Sequence, residues 1–261
     1  MGWFSRRGRS TRRDVSSGLD NPKVLGPTAK VAAQPLADQH TLRTFEEALA
    51  GVASCAAQMG LLVTRMVDQS AIVFLTQDVA QAKALIQLDL EVDSQKDALL
   101  AQVIEVLARY QPVASDLRLL VAVEHIAVDL ERSADHAKNI AKRTLSLSNR
   151  GKFDPTIDDL IRRLHAAVRS MFADSLTAFM TRNAQLALEI DRRDLVPDAI
   201  NDDLFHAVIA MIQTNPSDVR ADIQALFVGK SLERIGDHAT NIADEARFLA
   251  RGDVPSTTRT R

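Results

Sequence analysis

From His40 onward, apolar residues return every three or four positions, a spacing that predicts helix along almost the whole chain. The first helix is expected from about residue 40 to Thr76. Asp78, with Gln81 three residues later, resembles a capping box and starts a second helix, which runs to about Tyr110 and stops before Pro112. A third runs from near Ser115 to about Ser148, and Asn149–Gly151 ends it. Asp154-Pro155 is an N-cap with proline at the first helical position, opening a fourth helix to about Arg182. Asn183 caps a fifth, which Asn215-Pro216 ends, and the sixth runs from near Ser217 to Arg251-Gly252. Long amphipathic helices joined by short turns pack as antiparallel bundles, so the expected class is all-α.

The same three-helix pattern occurs twice. Leu130–Ala141 and Leu232–Ala243 agree at nine of twelve positions, at a constant offset of 102. A weaker echo lies upstream at an offset of 105, where Met66, Ser70 and Phe74 return as Met171, Ser175 and Phe179, and Asp89 and Asp93 return as Asp194 and Asp198. Internal duplication follows. The expected organisation is a basic arm over 1–37, one three-helix unit over 38–151, a second over 152–252, and a loose tail over 253–261.

Composition narrows the function. Charged residues are 25% of the chain and the net charge is -2, so nucleic acid is not an expected partner. The lone Cys55, in an Ala-rich helical stretch without a neighbouring His, reads as a small buried hydrophobe in a reducing, cytoplasmic setting. Ala48–Thr64 carries no charge but is short for a membrane span, and it reads as a helix buried in the bundle. No apolar segment follows Arg6-Arg7, so no twin-arginine export signal is expected. Five arginines precede the first acid of the arm, and Trp3 and Phe4 beside them suit peripheral contact with a membrane surface as well as a solubilising tail.

The chemistry lies in the acids. Residues four apart share a helix face, so Glu131, Asp135 and Asn139 form one stripe and Glu233, Asp237 and Asn241 another. Asp89 and Asp93 form a third pair and Asp194 and Asp198 a fourth, with Pro197 inside it to kink the helix. Facing carboxylates need positive charge. Arginines such as Arg132, Arg234 and Arg118 are one source, and a cation held by carboxylate oxygens is the other. Repetition of the full stripe favours the cation. His136 and His238 follow the motif aspartates but point about 100° away around the helix, which makes them outer-layer or inter-helix hydrogen-bonding groups. His40, His125, His165 and His206 show no ligand spacing and read as structural or exposed.

Leu-Glu-Arg-x-x-Asp-His-Ala-x-Asn-Ile-Ala near the end of each half resembles the PhoU family of phosphate-signalling proteins, and Gln111–Arg118 is similar to that family's turn between its second and third helices. The resemblance spans about residue 40 to Gly252. It implies two three-helix bundles and a non-catalytic cytoplasmic adaptor. Such an adaptor represses the phosphate-starvation response by linking the ATPase subunit of the phosphate ABC transporter to a sensor histidine kinase. It implies bound metal (iron, manganese, magnesium or zinc), with Glu131, Asp135, Glu233 and Asp237 as principal ligands and Asp89, Asp93, Asp194 and Asp198 facing them. Asn139, Asn241, His136 and His238 would stand behind the ligands. A homodimer is expected. Ala134 departs from the pattern where the second copy has Gly236. Two other classes stay in view, a carboxylate-bridged metalloenzyme and a purely structural helical scaffold. The Glu-x-x-His spacing of ferritin-like sites is missing from both copies of the motif.

Overall fold

The computed structural model of the protein describes residues 35–147, 153–214 and 219–252. Among them every regular element is helical: α1 (Pro35–Thr76), α2 (Val79–Tyr110), α3 (Ala114–Leu145), α4 (Pro155–Thr181), α5 (Ala184–Arg193), α6 (Leu195–Thr214) and α7 (Val219–Arg251). The predicted basic arm, the Asn149–Gly151 stop, the Asn215-Pro216 break and the tail lie outside the described residues, except that α1 already begins at Pro35.

The helix ends follow from named side chains. Asp78 Oδ1 accepts the Gln81 amide at 2.9 Å, and Asp154 Oδ1 accepts that of Thr156 at 2.8 Å. Asn183 Oδ1 accepts from both Gln185 and Leu186. Each satisfies donors that the first turn leaves open. The predicted fifth helix is broken at Asp194 into α5 and α6. Pro197 supplies the reason: it has no N–H for the carbonyl four residues back, that of Arg193, where α5 ends.

Gln111 and Arg182 close α2 and α4 in the left-handed conformation, with φ of 48° and 51°. Arg182 bears the cost of a Cβ there. Arg182→Gly is expected to stabilise the protein by about 0.5–1 kcal/mol, read as a higher thermal midpoint. An unchanged or lower midpoint would count against this account of the α4 cap.

One continuous core joins the two units. The three echoed pairs of α1 and α4 point into it: Met66, Ser70 and Phe74 are buried, as are Met171, Ser175 and Phe179. Even the hydroxyls repeat, Ser70 donating to Val67 O at 2.9 Å and Ser175 to Phe172 O at 2.8 Å. From Leu42 on, α1 is long and apolar enough to cross a membrane. Here it lays Met59, Val63 and Met66 into the core and packs on α2, α3 and α4.

Helices α3 and α7 pack across the centre, and their contacts repeat about a pseudo-two-fold axis. His125 Nδ1 lies 2.8 Å from Glu245 Oε1. Adding the repeat offset of 102 to His125 gives Phe227, and subtracting it from Glu245 gives Arg143. Those two also meet, with the Arg143 guanidinium 4.1 Å from the centre of the Phe227 ring. His136 and His238 map onto each other, and their rings lie 5.7 Å apart, on the axis itself.

Candidate functional site: two acidic clusters on α3 and α7

In the first unit α2 and α3 bring Asp89 and Asp135 together through a lysine. Lys138 Nζ lies 2.5 Å from Asp89 Oδ2 and also donates to Asp135 Oδ1. Asp89 is only 3% exposed. Its carboxyl is raised above the usual range, chiefly by burial, with the Lys138 hydrogen bond opposing. Burial works against the Lys138 charge, but its bonds to Asp135 and Asp89 more than offset that and hold the ammonium above its usual range. Glu131, one turn before Asp135, meets Lys96 of α2 at 3.4 Å and Arg132 at 3.8 Å. Asp93 is exposed. It follows Asp89 by four residues, which is a rotation of about 40°, and this small angle separates the groove from solvent.

The second unit solves the same problem with different residues. Lys230 Nζ lies 2.5 Å from Glu233 Oε1, and Asn201 of α6 donates to Glu233 Oε2 at 2.8 Å. Arg234 meets Asp237 at 3.0 Å. Asn201 is the counterpart of Lys96, and Lys230 that of Val128, so the cation beside the motif glutamate has moved from the middle helix to the last. Thr240 stands where the first unit has Lys138, and its hydroxyl donates to Asp237 O within its own helix. Asp194 sits at the α5–α6 junction, and Asp198 is exposed on α6.

Between the clusters, Asp129 binds both His238 and Asn241 across the α3–α7 interface. His238 Nδ1 is 2.8 Å and Asn241 Nδ2 3.0 Å from Asp129 Oδ1. In this arrangement His238 and Asn241 both reach across to the neighbouring helix. Both asparagines are exposed, but Asn139, the copy of Asn241, faces a unit in which Ser231 stands where a second Asp129 would be. His165 is structural: it is buried, with Nε2 2.9 Å from Val67 O. Arg118 does not serve the acids; it lies beside Gly252. Ala134 is fully buried in its unit, and at its copy Gly236 a methyl would meet Val168 and Pro197 only at ordinary contact distances of 3.7 and 3.8 Å.

Burial holds the His165 imidazole below its usual range, and burial followed by the charge of His238 pushes His136 down to about 4. A histidine with a folded pKa below 6.5 resists protonation only while folded. Its stabilising effect is therefore full above about pH 6.5 and is lost as the pH falls towards the folded value. The thermal midpoint is expected to fall between about pH 7 and pH 4.5. His165→Asn, which keeps a donor for Val67 O but does not titrate, should show a shallower acid slope. An identical slope would remove His165 from the cause.

The acids offer only oxygen donors, the chemistry of hard cations. In this arrangement, however, ammonium and guanidinium groups take the central positions. Among the described residues no three His, Cys, Asp or Glu side chains converge closely enough to hold a metal ion. Lys96, Lys138 and Lys230, not the arginines alone, supply the counter-charge, and sequence reasoning missed them along with Asp129 and Asn201. Lys138 follows Asp135 by three residues, a helical ion-pair spacing that was visible in the chain.

The comparisons with known proteins agree with this architecture. The family model described as the PhoU domain matches twice, over residues 56–144 and 161–246, one match in each three-helix unit. The phosphate-specific transport system accessory protein PhoU homolog of Pseudomonas putida is 30% identical over 213 residues, covering 82% of this chain and 83% of that protein. The crystal structure of PhoU from Pseudomonas aeruginosa superposes with a TM-score of 0.76 at 30% identity, over 80% of this chain and all of the other. That of the phosphate transport system regulatory protein PhoU from Streptococcus pneumoniae gives 0.73 at 25% identity, over 80% and 98%. With a duplicated bundle, a doubled acidic motif and a family match in each unit, the chain belongs to the PhoU family.

Proposed function

We propose that this chain is a non-catalytic accessory protein of phosphate transport that represses phosphate uptake and the phosphate-starvation response. It works in the cytoplasm, as a homodimer, by linking the ATPase subunit of the phosphate ABC transporter to a sensor histidine kinase. The observation that carries this reading is the match of both units, at 30% identity over 82% of the chain, to a phosphate-transport accessory protein. The direct test is retention of the host's transporter ATPase and of the cytoplasmic part of its phosphate-sensing kinase on the immobilised full-length chain. Both should be retained; capture of neither sinks the adaptor reading.

The metal part of the proposal places a divalent cation at Glu131, Asp135 and Asp89, and another at Glu233, Asp237 and Asp194, with Asp93 and Asp198 at the exposed ends. Such ions would have to displace Lys138 and Lys230 from the carboxylates. A second reading draws support from those lysines: the acids are ion-paired elements of a scaffold and need no metal. Mass spectrometry of protein purified without chelator or affinity metal separates the two. Stoichiometric metal that is lost in Glu131→Ala/Glu233→Ala with helicity retained supports the cation sites. No metal after incubation with iron, manganese, magnesium or zinc supports the scaffold.

A further inference from the structure

Helix α2 carries Leu90, Asp93, Asp97, Leu100 and Ile104 at alternating spacings of three and four. These five residues lie on one face of the helix and all five are exposed, Leu90 at 62% and Ile104 at 56%. Helix α6 repeats the stripe at the offset of 105 as Leu195, Asp198, Asp202, Phe205 and Ile209, and again all five are exposed. Four of the five positions are identical, and the fifth remains large and apolar.

The rest of the exposed surface on these two helices did not stay the same. Glu91 became Val196, Ser94 became Ala199, Ala98 became Asp203, Ala101 became His206 and Glu105 became Ala210. Core packing preserves buried positions such as Leu99 and Leu204, but it places no demand on an outward stripe. On these two helices it is the one exposed face that both units keep. Asp93 and Asp198 have a second candidate role as cation ligands, but Leu90, Asp97, Leu100 and Ile104 and their copies have none inside the chain, and their retention indicates that something outside it reads the face.

The spacing and charge describe the reader. A stripe that alternates three and four residues is the seam of two helices packed side by side. From Leu90 to Ile104 it is about 21 Å long. Each seam is apolar at its ends and has two aspartates in its first half and middle. Between Leu195 and Thr214 there are three aspartates and no lysine or arginine. An anionic membrane surface would be repelled by such a face, and a helix of the same composition would bury carboxylate against carboxylate. We propose that Leu90–Ile104 and Leu195–Ile209 are two equivalent docking seams, each taking a helix of a protein partner with apolar ends and two basic side chains opposite the aspartates. Each chain thus holds two such helices.

The test uses the full-length chain and two synthetic helical peptides of about 21 residues. Both have leucines at seam spacing; one carries lysines opposite the aspartates, the other glutamates. Calorimetry should show two lysine peptides bound per chain and at least tenfold weaker binding of the glutamate peptide. Asp97→Lys should leave one site and Asp97→Lys/Asp202→Lys none, with helicity unchanged by circular dichroism. The double variant should in turn bind the glutamate peptide. Binding that ignores these substitutions, or no binding at all, overturns the proposal. So does a wild-type dimer that becomes monomeric in the double variant, for the seams would then be occupied by a second copy of the chain. No transporter or kinase component enters the experiment, so its outcome is separate from that of the adaptor reading.

Discussion

Lys138→Met is expected to cost the fold about 3 kcal/mol, the typical result of removing one member of a buried ion pair. Lys138 reaches both Asp89 and Asp135, and the Asp89 side chain is only 5% exposed. Methionine fills a similar volume but leaves that carboxylate among Leu85, Val92 and the rest of the α2 core face, without its ammonium. Most of the loss is the penalty of an orphaned buried charge, not the net worth of the pair. Adding Asp89→Asn should therefore recover more than half of it. Urea unfolding followed by circular dichroism measures both. A loss under about 0.5 kcal/mol, the size of an exposed ion pair, would show that Lys138 is a surface lysine and that the first cluster has another source of charge.

Gly229→Ala should destabilise the second unit by about 1–3 kcal/mol, the usual cost of overpacking. A methyl there would overlap Asn201 Oδ1 and lie 2.7 Å from Leu204 Cδ2. Leu204 is fully buried, and Asn201 is fixed by its bond to Glu233, so neither yields without loss. The first unit has Ala127 at this position, with the longer Lys96 in place of Asn201. Glycine thus brings α7 close enough to α6 for the shorter asparagine to reach the motif glutamate. Gly236→Ala is the control, expected within about 0.5 kcal/mol of wild type, because the new methyl has room. Equal effects at both glycines would contradict this account of the α6–α7 approach.

These two residues also show where sequence reasoning stops. Helix limits were legible because a cap is a local event: Asp78, Asp154 and Asn183 each bind an amide two or three residues away. Pro197 announces a kink, but the spacing predicts a fifth helix continuous to Asn215-Pro216, and the full break at Asp194 was not legible. The doubled motif was legible because nine of twelve residues repeat. Asp129 was not, for its partners His238 and Asn241 lie on another helix more than a hundred residues away, and its own copy is Ser231. The division between Asp89 and Asp93 was also hidden. A four-residue step is near enough to a full turn to read as one face, yet its residual rotation puts one carboxylate against Lys138 and the other in solvent. The move of a cation from Lys96 to Lys230 needed both units in three dimensions, since neither position belongs to the motif.

Repression of phosphate uptake is the most direct test of the central claim. Phosphate uptake and the output of a phosphate-starvation promoter should be measured in phosphate-rich medium, in host cells lacking this chain and in the same cells carrying it again. The account predicts raised uptake and an active promoter without the chain, with both returning to low values when it is restored. Uptake and promoter activity that stay low in its absence would contradict it.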